Sequence, residues 1–181
     1  MDTPAGIGTW RIRSLCAGAP VVFDDVHPAL CPALRATILA RSRAWADGTT
    51  TSPSYPSLNI GGWKSSEDFF AWRYPAVREL RDVLRREYLR GGDPIGWTMI
   101  NRAGSHHPRH HHGNSVLSGV YYVDPGDPAS APTVFEATDG REVRVEPAAG
   151  RLALFPSDLW HHVPAYAGTS PRITIAFDVR R

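Results

Sequence analysis

This sequence predicts a mainly β fold with helices gathered at its N-terminal side, and three observations lead there. From Ile95 onward the apolar residues come in short runs rather than at helical spacing. Turn-forming clusters separate those runs: Asp124-Pro125-Gly126-Asp127-Pro128, Asp139-Gly140 and Ala148-Ala149-Gly150. Before Ile95, two long segments instead repeat their apolar residues every three or four positions. Many short strands joined by tight turns make a sandwich or a barrel. Helices clustered at one end of the chain would pack on one outer face.

Val21-Val22-Phe23 reads as a short strand. His27-Pro28 then opens a helix to about Ala46, with Leu30, Leu34, Ile38 and Trp45 near helical register and Gly48 as the stop. The stretch TTTSPSYPSLNIGG is loop-like in composition. Ser65-Ser66-Glu67-Asp68 offers a cap for a short helix carrying Phe69, Phe70 and Trp72. Pro75 starts a second long helix. Val77, Leu80, Leu84 and Tyr88 form its apolar face, arginines the other, and Gly91-Gly92 ends it. Strands follow near 95–101, 115–123, 133–136, 142–146, 151–155 and 172–179. The expected organisation is a single domain over 1–181, helical to about residue 92 and a barrel from about 93.

Composition narrows the function classes. A net charge of +2 and the lack of a basic run with interleaved aromatics argue against a nucleic-acid partner. The apolar runs are far shorter than a membrane span. The first residues, MDTPAGIGTWRIR, lack the apolar centre of a signal peptide. Cys16 and Cys31 do not make a disulfide framework and read as reduced thiols. These features suit a cytoplasmic protein acting on a small molecule, with no membrane partner; the sequence leaves the oligomeric state open.

Seven of the eight histidines fall in two places, Ser105 to His112 and His161 to His162. Side chains alternate across a strand, so His110 and His112 share one face and His111 takes the other. Residues two apart lie about 6.6 Å apart along a strand. Imidazoles at that spacing can converge on one metal. A third ligand then comes from His161 or His162, and alternation favours only one of them. A solvated histidine-rich loop is the simpler reading of the first cluster alone, but the second cluster and the later Arg172 weigh against it. His106 and His107 precede Pro108 and read as loop bystanders. His27 reads as structural. Trp63 and Trp97 read as core.

The segments HHHGNSVLSGVYYV (110–123), RLALFPSDLWHHV (151–163) and PRITIAFDV (171–179) resemble the iron(II)- and 2-oxoglutarate-dependent oxygenases, and within them a small bacterial and phage family. A fainter likeness extends to LNIGGWKSSEDFF (58–70). The resemblance implies a double-stranded β-helix, a jelly-roll or cupin-like barrel. It implies iron(II), 2-oxoglutarate and oxygen as cofactor and cosubstrates. It places the metal ligands at His110, His112 and His161, with His112 where most of the superfamily has a carboxylate. It puts Arg172 on the arginine that binds the far carboxylate of 2-oxoglutarate, Thr174 on its hydroxyl partner, and Ser118 and Tyr122 on a strand that adds contacts. Gly113, Asp158 and Asp178 depart from the family pattern, which has proline, an aromatic and asparagine there.

The implied activity is oxidation, by hydroxylation or a related reaction, of a small polar metabolite, with release of succinate and carbon dioxide. An amino acid or a natural-product intermediate suits the short chain. Arg73 or Lys64, in the segment before the barrel, is the candidate reader of a substrate carboxylate, with Trp160 packing nearby. Two other functions compete. A three-histidine cupin-like dioxygenase would need no keto acid, and Arg172 argues against it. A metal-binding or sensing barrel would consume no oxygen with any keto acid.

Overall fold

The computed structural model describes residues 18–46, 59–113, 115–127 and 131–180. Strand β1 (Val21–Phe23) leads through a 3₁₀ turn (Pro28–Leu30) into helix α1 (Cys31–Ala46). Strand β2 (Trp63–Lys64), a 3₁₀ turn (Phe69–Ala71) and helix α2 (Pro75–Val83) follow. A π-helical turn over Leu84–Tyr88 prolongs α2. Eight strands come next: β3 (Pro94–Asn101), β4 (His107–His110), β5 (Leu117–Asp124), β6 (Thr133–Glu136), β7 (Glu142–Val145), β8 (Leu152–Pro156), β9 (His161–Val163) and β10 (Arg172–Val179). Among the described residues no helix is long and apolar enough to cross a membrane.

Two antiparallel sheets make the double-stranded β-helix, one ordered β1-β8-β5-β10-β3-β2 and the other β4-β9-β6-β7. Two cores result. Leu34 and Ile38 of α1 and Val77, Leu80 and Leu84 of α2 and its extension pack with Ile173, Ile175 and Phe177 on the outer face of the larger sheet. Each fully buried apolar side chain contributes roughly 1.5–3 kcal/mol. Between the sheets lie Trp97, Met99, Tyr122, Phe135, Phe155 and Ala176. Strand alternation explains the division. On β10, Ile173, Ile175 and Phe177 turn to the helices, while Arg172, Thr174 and Ala176 turn into the barrel.

Local sequence accounts for the ends of these elements. Pro75 occupies the first turn of α2, where its missing N–H costs nothing. Gly91 ends the helical run at φ 85°, and its N–H donates to Arg85 O at 2.8 Å. The Ser65–Asp68 cap does not form: no side chain caps the Phe69–Ala71 turn. Asp68 Oδ1 instead accepts from Trp72 Nε1 at 3.3 Å, and Ser65 Oγ accepts from the Thr98 N–H at 3.0 Å. The seven expected strands are present. Strands β2, β4 and β9 are additional, two to four residues long, and β4 and β9 are too rich in histidine to show as apolar runs. Trp45's side chain, Cys16, Gly48 and most of the 49–62 loop lie outside the described residues; Cys31 is a buried free thiol.

Candidate active site

Strands β4 and β9 pair antiparallel in the smaller sheet, with His107 opposite Val163 and His110 opposite His161. That register sets two imidazoles against each other, their ring centroids 4.2 Å apart and their planes tilted by 52°. His112 arrives by another route. Strand β4 ends at His110, so His110 and His112 do not share a strand face as alternation suggested. Instead the His112 N–H donates to Ser157 O at 2.6 Å, anchoring it to the segment after β8. Its ring stands 5.3 Å from that of His110 and 5.2 Å from that of His161. The candidate ligand atoms of these three histidines all lie within 4.8 Å of one another, a spread that small ring rotations close onto one ion. His161 is buried, while its neighbour His162 is only partly so.

Each of the three rings is held through Nδ1. His110 Nδ1 lies 2.8 Å from Pro108 O, His161 Nδ1 3.0 Å from Leu159 O, and His112 Nδ1 2.8 Å from Asp178 Oδ1. Carbonyls and carboxylates only accept, so Nδ1 carries a proton, and in the neutral ring Nε2 keeps its lone pair. Outer partners of this kind orient metal-binding imidazoles. Burial first, then repulsion by neighbouring His110, holds His161 down to about 3. Burial also lowers His110. Neutral imidazole is the form a metal requires.

Arg172, Thr174 and Ala176 of β10 line the same cavity beside the three histidines. The Arg172 side chain is 1% exposed. Its Nε and Nη2, and Thr174 Oγ1, have no hydrogen-bond partner among the described residues. Burial pushes the guanidinium below the usual arginine range, though it remains a cation. An unpaired buried charge is costly, so this group is built to meet an anion. A forked donor beside three imidazoles suits a keto acid that reaches metal with one end and Arg172 with its far carboxylate. Tyr122 packs under Arg172, its ring centroid 5.5 Å from the guanidinium carbon, and donates to Thr133 Oγ1 at 2.7 Å.

Other expected site residues take different places. Lys64 Nζ sits 4.6 Å above the Trp97 ring, which lines the cavity. Ser118 does not line it; its Oγ lies 2.6 Å from Asp178 Oδ1 and 2.9 Å from Ser157 Oγ, behind His112. Arg73 faces a separate surface depression with Arg41, Asp68 and Tyr74, because the Phe69–Ala71 turn carries it away from the barrel mouth. Trp160 precedes the inward His161 and therefore points outward. It meets the His111 ring edge-to-face, centroids 4.4 Å apart, and carries the Arg109 guanidinium over its own ring at 3.8 Å. Arg109 in turn forms a forked pair with Glu136 at 2.6 and 2.7 Å.

His107 is the residue the sequence hides. It is buried on β4, lines the cavity, and its Nε2 lies 2.9 Å from Asn59 Oδ1. It is no loop bystander, whereas His106 is half-exposed. A histidine-proline pair between turns gives no strand signal that would have found it. Burial, then the nearby Arg172 charge, holds His107 down to about 3 from an ordinary 6.5. The unfolded chain takes up a proton below that ordinary value and the folded protein does not. Stability is therefore full above pH 6.5 and falls as pH drops toward 3, by up to about 1.4 kcal/mol per pH unit for this ring. His107→Gln should show a shallower loss of the metal-free protein's stability, read from urea unfolding across that range. Equal slopes for the two proteins would contradict the assignment.

Residues 96–178 match the model of a family described as "Putative 2OG-Fe(II) oxygenase". Solved structures share the fold. A Pseudomonas putida prolyl-4-hydroxylase is 21% identical with a TM-score of 0.67, covering 94% of this chain and 96% of its own. A Trichoplax adhaerens prolyl hydroxylase, in complex with a hypoxia inducible factor peptide fragment, is 15% identical with a TM-score of 0.71, covering 96% of this chain and 93% of its own. HygX from Streptomyces hygroscopicus, with nickel and 2-oxoglutarate bound, is 10% identical with a TM-score of 0.69, covering 94% of this chain and 85% of its own. No curated protein matches the sequence.

Proposed function

We propose, from the match of residues 96–178 to the 2OG-Fe(II) oxygenase family model, that this chain oxidises a small polar metabolite at a centre held by His110, His112 and His161. It is an iron(II)- and 2-oxoglutarate-dependent dioxygenase. Bound iron supplies the oxidising chemistry. In a hydroxylation, one oxygen atom enters succinate, the other enters a C–H bond of the substrate, and carbon dioxide leaves. The observation that carries the residue assignment is the pairing of three imidazoles with a buried guanidinium whose Nε and Nη2 have no hydrogen-bond partner among the described residues, all in one cavity.

The protein's own part is positioning. The three imidazoles fix the metal, and Arg172 with Thr174 binds the far carboxylate of 2-oxoglutarate. Tyr122 supports the guanidinium from below. Lys64 is the cation that reads a substrate carboxylate at the mouth. Burial lowers Lys64 from the usual lysine range, with Glu67 and Asp178 opposing. Arg73 and Trp160 take no part in this reading. HygX has been solved with hygromycin B bound, and an amino acid or natural-product intermediate suits the present site in the same way.

Oxygen uptake and succinate release with iron(II), ascorbate and 2-oxoglutarate test the reading. A panel of amino acids and related acids should contain a compound that stimulates both, and Lys64→Met should raise the KM for that compound about tenfold or more. If only a peptide or oligonucleotide stimulates turnover, the substrate class is wrong. If turnover needs no keto acid, the site is a three-histidine dioxygenase of another kind.

A further inference from the structure

We infer that Asp178 is a positioning residue for the metal centre, supplying through His112 the negative charge that a three-histidine ligand set lacks. The inference rests on the ligand assignment above. Three neutral imidazoles leave a divalent ion's full charge in place, beside the Arg172 cation. Two of the rings lean on neutral carbonyls, Pro108 O and Leu159 O. The third leans on a carboxylate: His112 Nδ1 is 2.8 Å from Asp178 Oδ1, with both side chains largely enclosed, 12% and 14% exposed.

The fold positions this carboxylate with care. Asp178 lies on β10 in phase with Arg172, Thr174 and Ala176, so it faces inward at the other end of the same strand. Its register partner on β5 is Ser118. Ser118 Oγ stands 2.6 Å from the same carboxylate oxygen, which fixes the carboxylate against the His112 ring. Trp97 stacks on the ring's side, centroids 5.6 Å apart, and restricts its rotation. A carboxylate accepting from Nδ1–H holds Nε2 in the metal-binding tautomer and raises its basicity. One strand thus carries both polar supports of the site, the keto-acid arginine at one end and the charge-balancing aspartate at the other.

Asp178→Asn keeps an acceptor of the same shape and removes the charge. Iron(II) affinity, measured anaerobically by competition with a chromogenic chelator, should fall about tenfold to hundredfold. The ligand-field absorption of the cobalt(II)-loaded protein should shift, while circular dichroism and the metal-free unfolding midpoint stay near wild type. Ser118→Ala retains the carboxylate but frees it, and should give a smaller loss of affinity with a cobalt(II) shift in the same direction. Wild-type iron(II) affinity and an unchanged cobalt(II) spectrum in Asp178→Asn would overturn the inference alone. So would an affinity loss that merely follows a collapse of the metal-free fold. If Asp178→Asn does not fold, an unchanged spectrum in Ser118→Ala overturns it. A wild-type protein that takes up no iron(II) overturns the ligand assignment with it.

Discussion

His161→Ala should abolish iron(II) binding, lowering affinity by more than about a hundredfold and removing turnover. The expectation exceeds the loss usual for an outer partner of a metal ligand, because the ligand atom itself is deleted. His161 faces His110 across the β4–β9 ladder and is buried among Phe135 and Phe155. His162, its chain neighbour, leaves the strand on the opposite face and pairs with Val134. His162→Ala should therefore bind iron(II) nearly as the wild type does. Anaerobic titration of the two variants separates them. Normal binding by His161→Ala with loss in His162→Ala would refute the distal assignment, and normal binding by both would refute the site.

Arg172→Ala should weaken 2-oxoglutarate by roughly ten- to more than hundredfold and leave iron(II) binding intact. A charge-assisted hydrogen bond to a carboxylate contributes about 1.5–3 kcal/mol net, and each 1.4 kcal/mol or so is a factor of ten. Nε and Nη2 of Arg172 are buried and have no hydrogen-bond partner among the described residues, so both are available to the anion. Arg172→Lys should restore only part of the affinity. A lysine ammonium supplies charge but not the planar fork. Calorimetric titration of metal-loaded, oxygen-free protein gives the affinities directly. Unchanged 2-oxoglutarate affinity in Arg172→Ala would remove the cosubstrate assignment while leaving the metal site standing.

What the sequence determined by itself was whatever follows from a local period. The change at Ile95 from helical spacing to short apolar runs marked where the succession of strands β3 to β10 begins, and β3 starts at Pro94. The alternation in Arg172-Ile173-Thr174-Ile175 divided β10 between helix-facing core and cavity, as the packing has it. The same alternation would also have put Asp178 in the cavity row, but a lone aspartate near a strand end reads as a surface residue until its neighbour is known. Tertiary structure alone decided the rest. Strands β4 and β9 are short, polar and paired with each other across about 50 intervening residues, and no local pattern encodes a partner that distant. His107 became a buried cavity residue because Asn59 and that ladder enclose it. Arg73 lies at a separate surface depression after the Phe69–Ala71 turn, and Ser118 sits behind His112 through its register with Asp178. Period fixes which face a side chain takes on its own element, whereas long-range pairing fixes what that face meets.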